Sequence, residues 1–406
     1  MTAKSPKFTW LTTMALGAFL LAACGSPSPQ ITPTPSATPF LPGPTQTPPP
    51  AATATPAASP TPAPTATAPY PPEGYGPTNF PANVNPLTGL PVSDPALLNR
   101  RPILIKVQNL PRSDRPQSGL SRADIVYELY TEYGSTRYAA LFYGQDAERV
   151  MPIRSARYPD INLIRMYKAV FVFGSAYEPV FRRLANSEFG DRLILEGSDT
   201  CPAMCRFDPN GRNYLAANTQ ALQALLAKRG IDNSRPNLDG MAFNLTPPAG
   251  GQPAERIFAR FSGAIYNRWD YDPASGRYQR YVDKENDVDQ RNEVYEQLTD
   301  ALTNQPIQAD NVVILFVRYE EVDPRPEVEV LDFKLLGTGT AYLARDGQIY
   351  KVNWQRLREE DVLTLVDDAG QVVPFKPGQT WFEVMGLTTR VQNEGTTWRF
   401  TFGRDW

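Results

Sequence analysis

The chain has no histidine in its 406 residues. Imidazole-activated nucleophiles, Ser-His-Asp and Cys-His alike, are excluded, and so are histidine-rich zinc and copper sites. Any general acid or base has to be Asp, Glu, Lys, Tyr or Cys. Cysteine is almost as scarce, with three in all. There is no G-x-S-x-G elbow, no P-loop, no S-x-x-K beyond the first segment and no complete EF-hand loop. These absences lower the standing of hydrolase chemistry without removing it, because carboxylate pairs alone can cleave glycosides.

Long apolar runs are lacking too. The run from Phe8 to Leu20 is too short to span a bilayer, and no second one approaches the required length. Lys4 and Lys7 precede it and Leu21-Ala22-Ala23-Cys24 follows, which is the layout of a secretory signal. The Leu-Ala-Ala-Cys end resembles the lipobox of bacterial lipoproteins. That resemblance implies cleavage before Cys24, acylation of its thiol and a lipid-anchored place on the extracytoplasmic side of the cell membrane.

Charge is missing from residues 25–72, which hold 17 of the 41 prolines among Thr, Ala and Ser. Such a segment buries too little to offset its ordering entropy and is expected to be disordered. Proline biases it toward polyproline II at about 3.1 Å per residue, so it reaches on the order of 150 Å at most. Without residues 1–24, 38 basic and 43 acidic residues remain. That balance offers no basic footprint for nucleic acid or an anionic membrane surface. The membrane contact is expected through lipid alone, and no cofactor or metal is implied.

Cys201 and Cys205 lie in Cys-Pro-Ala-Met-Cys. Outside the cytoplasm this pair is most simply a small structural disulfide, with free thiols as the alternative; the spacing is not the C-x-x-C of redox sites.

Residues 1–24 read as a lipoprotein signal, 25–82 as a linker, 83–246 as an N-terminal domain, 254–386 as a C-terminal domain and 387–406 as an extension. In the first domain, apolar or alternating runs predict strands over 102–108, 123–132, 137–143 and 169–173, and helices over 160–167, 178–186 and 219–229. Strands alternating with helices predict a layered α/β sandwich. Thr246 to Pro253 can be neither helix nor strand. Beyond it strands dominate, predicted over 265–271, 277–282, 312–319, 328–336, 340–344, 348–354, 372–375 and 381–385, with Asp346-Gly347 as a hairpin turn and one more strand in 390–402.

Two groups of motifs carry a family resemblance. The first is Asn85-Pro-Leu-Thr-Gly-Leu90, Arg115-Pro-Gln-Ser-Gly-Leu120, Ala123-Asp-Ile-Val-Tyr-Glu128 and Pro152-Ile-Arg-Ser-Ala-Arg157. The second is Asn311-Val-Val-Ile, Gly337-Thr-Gly339 and Pro374-Phe-Lys-Pro-Gly-Gln-Thr-Trp381. In this order they resemble the YerB-type family of bacterial lipoproteins, with paired N- and C-terminal domains of unknown function. The resemblance covers about residues 85–386 and implies an α/β layered envelope lipoprotein without an established activity. Family members often carry histidines where this chain has 212–218 and 286–289, which hold none.

Asp124, Glu128 and Glu132 are evenly spaced, so on one strand they share a face and call for cationic partners. Arg137, Arg154 and Arg157 are the candidates. One reading is a structural ion-pair network. A second is an anion or sugar site built on Arg115, Arg137, Arg154, Ser155 and Arg157. A third is carboxylate catalysis by Asp124 or Glu128. Asp283, Glu285, Asp287 and Asp289 read as a solvated acidic loop, and Trp269, Tyr271, Tyr278 and Tyr281 as a half-core hairpin rather than a glycan platform. The functional expectation is a non-catalytic binding or scaffolding protein of the bacterial envelope, facing a wall glycan, a small anionic ligand or another envelope protein. The alternative is a carboxylate-dependent cell-wall glycan hydrolase.

Overall fold

Strands buried on both faces organise the fold. Ile103–Gln108 (β1), Ile125–Tyr130 (β2) and Thr380–Gly386 in the second half are buried at every position. Near-continuous apolar runs of this kind belong at the centre of a sheet. The computed structural model describes residues 70–206, 214–289, 291–323, 325 and 327–404. Cys24 and the linker as far as residue 69 lie outside the described residues, as does the start of 212–218.

After β2 come Thr136–Phe142 (β3), Asp160–Tyr167 (α1), Val170–Val172 (β4), Glu178–Ala185 (α2), Leu193–Ile194 (β5) and Thr219–Arg229 (α3). The second half contributes Arg256–Arg260 (β6), Tyr266–Asp272 (β7), Arg277–Asp283 (β8), Tyr295–Gln297 (β9), Asn311–Glu321 (β10) and Gly337–Arg345 (β11). Gln348–Arg356 (β12), Thr364–Val366 (β13), Thr380–Gly386 (β14), Arg390–Glu394 (β15) and Thr397–Thr401 (β16) follow. Shorter strands include Met204–Arg206, Leu215–Ala217, Leu331–Lys334 and Gln252–Pro253, the last pairing with β12 although the boundary segment was expected to hold no strand.

The main sheet runs β13-β12-β11-β10-β14-β2-β3-β1-β4-β5, so strands from both sides of the 246–253 boundary form one ladder. β14 lies parallel between β10 and β2, with Phe382 opposite Tyr127 and Glu383 opposite Glu128. The Tyr127 and Phe382 rings stack at 4.5 Å between centroids, a cross-strand aromatic pair of the kind that stabilises sheets. A second sheet, β9-β8-β7-β6-β16-β15, meets the main one through its buried face. There Trp269 of β7 packs edge-on against Trp381 of β14 at 5.3 Å.

Helix makes up 12% and strand 38% of this mixed, sheet-rich structure, so the α/β sandwich expectation overstates the helices. The physical reason lies in the connections. Parallel neighbours within one segment need crossovers, usually helical; here β2 gains a parallel neighbour from more than two hundred residues away. The strand predicted over 372–375 is reduced to isolated bridges at Val372 and Phe375, with Pro374 between them unable to donate to a ladder. The tail forms a hairpin, β15 and β16, and β6 was not anticipated. Asp346 and Gly347 both sit at positive φ, as a two-residue hairpin turn requires.

Candidate functional site

β1, β2, β4, β5, β10 and β14 all point the same way, which gives the sheet two chemically distinct edges. The three evenly spaced carboxylates lie at different levels of β2. Asp124 is at the N-terminal edge, Glu128 in the middle and Glu132 beyond the C-terminal end. The expectation that they share arginine partners holds for Glu132 alone.

Asp124 accepts from the Tyr143 amide at 2.5 Å, the Gly144 amide at 3.1 Å and the Asn85 side chain at 2.7 Å. Asn85 in turn accepts from the Leu87 amide at 3.0 Å, so the pair clamps the 85–90 turn onto the sheet. Burial pushes Asp124 up to about 6, against the pull of these donors. Asp124 borders a cleft of about 520 Å³ together with Thr88, Gln145, Arg277 and Asp310, but both its oxygens are engaged.

Glu128 is sealed. It and Glu383 are neighbouring like charges, and Arg280 of β8 bridges them: its guanidinium pairs with Glu128 and, at 2.7 Å, with Glu383. All three side chains are wholly buried. Asn109 and Thr136 donate to the other Glu128 oxygen at 3.0 and 2.6 Å, and Trp269 donates to Glu383 at 2.8 Å. The Trp381 ring lies 4.4 Å from the guanidinium. Burial pushes Glu128 up to about 7, with Arg280 opposing and Glu383 adding to the rise. Nothing of Glu128 faces a substrate; it is a buried strut between the sheets, and this placement argues against the catalytic role set out above.

The other buried charges are struts as well. Arg115 grips Asp283 at 3.1 Å and the Asn109 side chain at 2.8 Å. Arg112 holds the same Asp283 at 2.5 Å and Asn286 at 3.0 Å. Asp287 pairs with Arg260 at 2.9 Å. The acidic stretch is therefore not a uniformly solvated loop: Asp283 and Asp287 are buried ion-pair partners, while Glu285 and Asp289 are exposed. Trp269 and Tyr278 are core, and Tyr281 lies on the other face under Arg268, whose guanidinium is 4.3 Å from the ring. Cys201 and Cys205 are bonded to each other with Cα atoms 5.1 Å apart.

The C-terminal edge holds the remaining arginines. β1 pairs with β4 only over 103–105; beyond that, residues 152–156 wedge into the fork between them. The Arg154 amide donates to the Lys106 carbonyl at 2.9 Å and the Gly174 amide to the Arg154 carbonyl at 3.0 Å. A fork at the carboxyl ends of parallel strands is where ligands of open α/β sheets bind. Arg157 forms a two-pronged pair with Glu132, 2.6 Å at Nε. Arg137 reaches Glu132 at 3.2 Å and the Ser155 carbonyl at 2.7 Å. Lys106 pairs with Asp160 at 2.6 Å in full burial, which lowers its pKa despite that partner. Ser155 and Ser175 share a hydroxyl contact of 2.7 Å on the surface.

Arg154 differs from these. It is half-buried, and its guanidinium forms no ion pair with any described residue. Burial lowers its pKa, with Asp114 acting against that at longer range. Arg137 is pushed down to about 10, first by burial and then by Arg157, with Arg154 adding to the effect. Arg137 and Arg157 thus share Glu132, Lys106 is matched by Asp160 in the interior, and Arg154 has only the longer-range Asp114. Sequence reasoning missed Lys106 and Ser175, since nothing local marks a lysine inside an apolar strand as the buried partner of Asp160.

Comparison with known proteins gives a consistent picture. The model described as the N-terminal domain of a protein of unknown function (DUF3048) matches residues 87–232, and its C-terminal counterpart matches 257–382. The chain is 25% identical over 315 residues to "Putative lipoprotein YerB" of Bacillus subtilis (strain 168), covering 74% of this chain and 85% of that protein. The crystal structure of YerB protein from Bacillus subtilis superposes with a TM-score of 0.60 at 23% identity, covering 74% of this chain and 96% of that one. The two domain matches in order, the relative and the shared fold together establish that the chain belongs to the YerB-like family.

Proposed function

We propose that the chain is a lipoprotein anchored through Cys24 on the extracytoplasmic side of the membrane, and that its folded part binds an anionic component of the envelope without turning it over. The observation that carries the reading is the excess of cationic side chains at the C-terminal edge: Arg137, Arg154 and Arg157 stand around Glu132, with Asp114 acting on Arg154 at longer range and Arg154 in no ion pair among the described residues. A planar guanidinium beside hydroxyls suits a carboxylate or phosphate group. The leader and the uncharged proline-rich linker supply the tether, and the relative's name agrees with it. Catalysis by Glu128 is disfavoured because that side chain has no open face.

Co-sedimentation with purified cell wall, with and without its anionic polymers, tests the binding half. The wild type should pellet with the complete wall and lose most of that binding when the polymers are stripped. Arg154→Ala should weaken it roughly tenfold, as the loss of one charge-assisted contact does. Equal retention of Arg154→Ala, or release of soluble wall fragments by the wild type, would contradict the reading.

A further inference from the structure

Beside the arginine edge lies a recess of about 180 Å³, walled by Tyr133, Tyr177, Val180 and Leu331, with Glu132 and Arg157 at its side. Tyr133 occupies an unfavourable position. Residues 132–135 close a two-residue hairpin loop, the Ser135 amide donating to the Glu132 carbonyl at 2.9 Å. Both central residues have positive φ, 51° at Tyr133 and 78° at Gly134. The first position of such a turn favours Asn, Asp or Gly, because a larger side chain is strained there. Burial does not compensate, since Tyr133 is 66% exposed.

The ring is instead held in place. Its hydroxyl donates to the Glu327 carbonyl at 2.9 Å and accepts from the Glu329 amide at 3.0 Å, while its own amide donates to the Glu329 carboxylate. The second ring is anchored similarly: the Tyr177 hydroxyl donates to Asp323 at 3.3 Å and accepts from Arg325 at 2.5 Å. Two tyrosines on separate elements thus commit their hydroxyls to one crossing segment. What remains for a ligand is their ring surface.

We propose that this recess receives one pyranose ring of a glycan. A sugar ring combines an apolar C–H face with hydroxyls at its rim. The tyrosine faces match the first, and the planar Glu132–Arg157 pair with Glu329 matches the second. Glu132, Arg157 and Glu329 are already partnered within the fold, so what they offer a sugar hydroxyl is their remaining lone pairs and N–H groups. The proposal rests on the reading of the chain as an envelope binding protein, but it does not require Arg154.

Calorimetric titration of the mature chain with N-acetylchitotetraose tests it. The wild type should bind, and Tyr133→Asn, which installs a residue the turn favours, should bind at least tenfold more weakly while melting as the wild type does. Tyr177→Ala gives an independent reading and should also lose at least tenfold. Arg154→Ala should bind the tetrasaccharide within twofold of wild type, so that failure of the anion reading leaves this result intact. Absence of wild-type binding overturns the proposal, as does wild-type affinity in either tyrosine variant.

Discussion

Glu128 shows how one side chain acquires a role that its sequence neighbourhood does not announce. Alternation along β2 places it on the same face as its neighbours on β14, but Arg280, its partner, lies about 150 residues away on another sheet. Burial alone would lower the Arg280 pKa; Glu383, Tyr138 and Glu128 outweigh it and raise it, so the guanidinium stays charged. Glu128 is pushed up from 4.5 to about 7 and Asp124 from 3.8 to about 6. The folded state therefore holds these protons more tightly than the unfolded chain. Their contribution is complete below the ordinary carboxylate range and is lost as pH rises through about 6 to 7. Glu132 behaves oppositely: burial would raise it, but Arg157 and Arg137 hold it low, so its contribution is lost in acid as pH falls through its depressed pKa. Melting temperature should accordingly fall between about pH 5 and pH 8, and Glu128→Gln should flatten that fall. Glu128→Ala, which leaves a cavity in the triad, should destabilise by about 3–5 kcal/mol in urea titrations. A wild-type-like slope in Glu128→Gln would contradict the assignment of the titrating group.

At the level of elements, much of the strand pattern is legible because burial writes itself as alternation or as apolar runs. The helix Thr219–Arg229 is readable to the residue: Asn218 caps its first turn and Gly230 ends it in a left-handed conformation. Pairing partners are not legible in the same way. Nothing in Trp381-Phe-Glu-Val-Met385 states that it inserts between β10 and β2, because the apolar run records burial and not neighbours. The arginine cluster was half legible: Arg137 and Glu132 lie within reach by local spacing, whereas Arg115 finds Asp283 only through the fold. From the shared ladder it follows that a fragment of residues 83–246 lacks the neighbour of β2 and the cation for Glu128. That fragment should fail to melt cooperatively alone and should recover a cooperative transition when mixed with residues 247–404. A stable, monomeric 83–246 fragment would contradict this.

For the whole molecule, the proposal is of a chain anchored through Cys24 whose arginine edge binds an anionic component of the envelope. Cys24→Ala should release the protein from the membrane fraction, and equal retention would remove the tether from the account. The most direct test of the central claim is where an envelope anion binds. Amide hydrogen exchange of the mature chain, measured by mass spectrometry with and without an anionic wall polymer, gives that location. Protection should concentrate in residues 153–158 and 174–178 and disappear in Arg154→Ala. Protection centred on the cleft around Asp124 and Asp310, or none along the arginine edge, would contradict it.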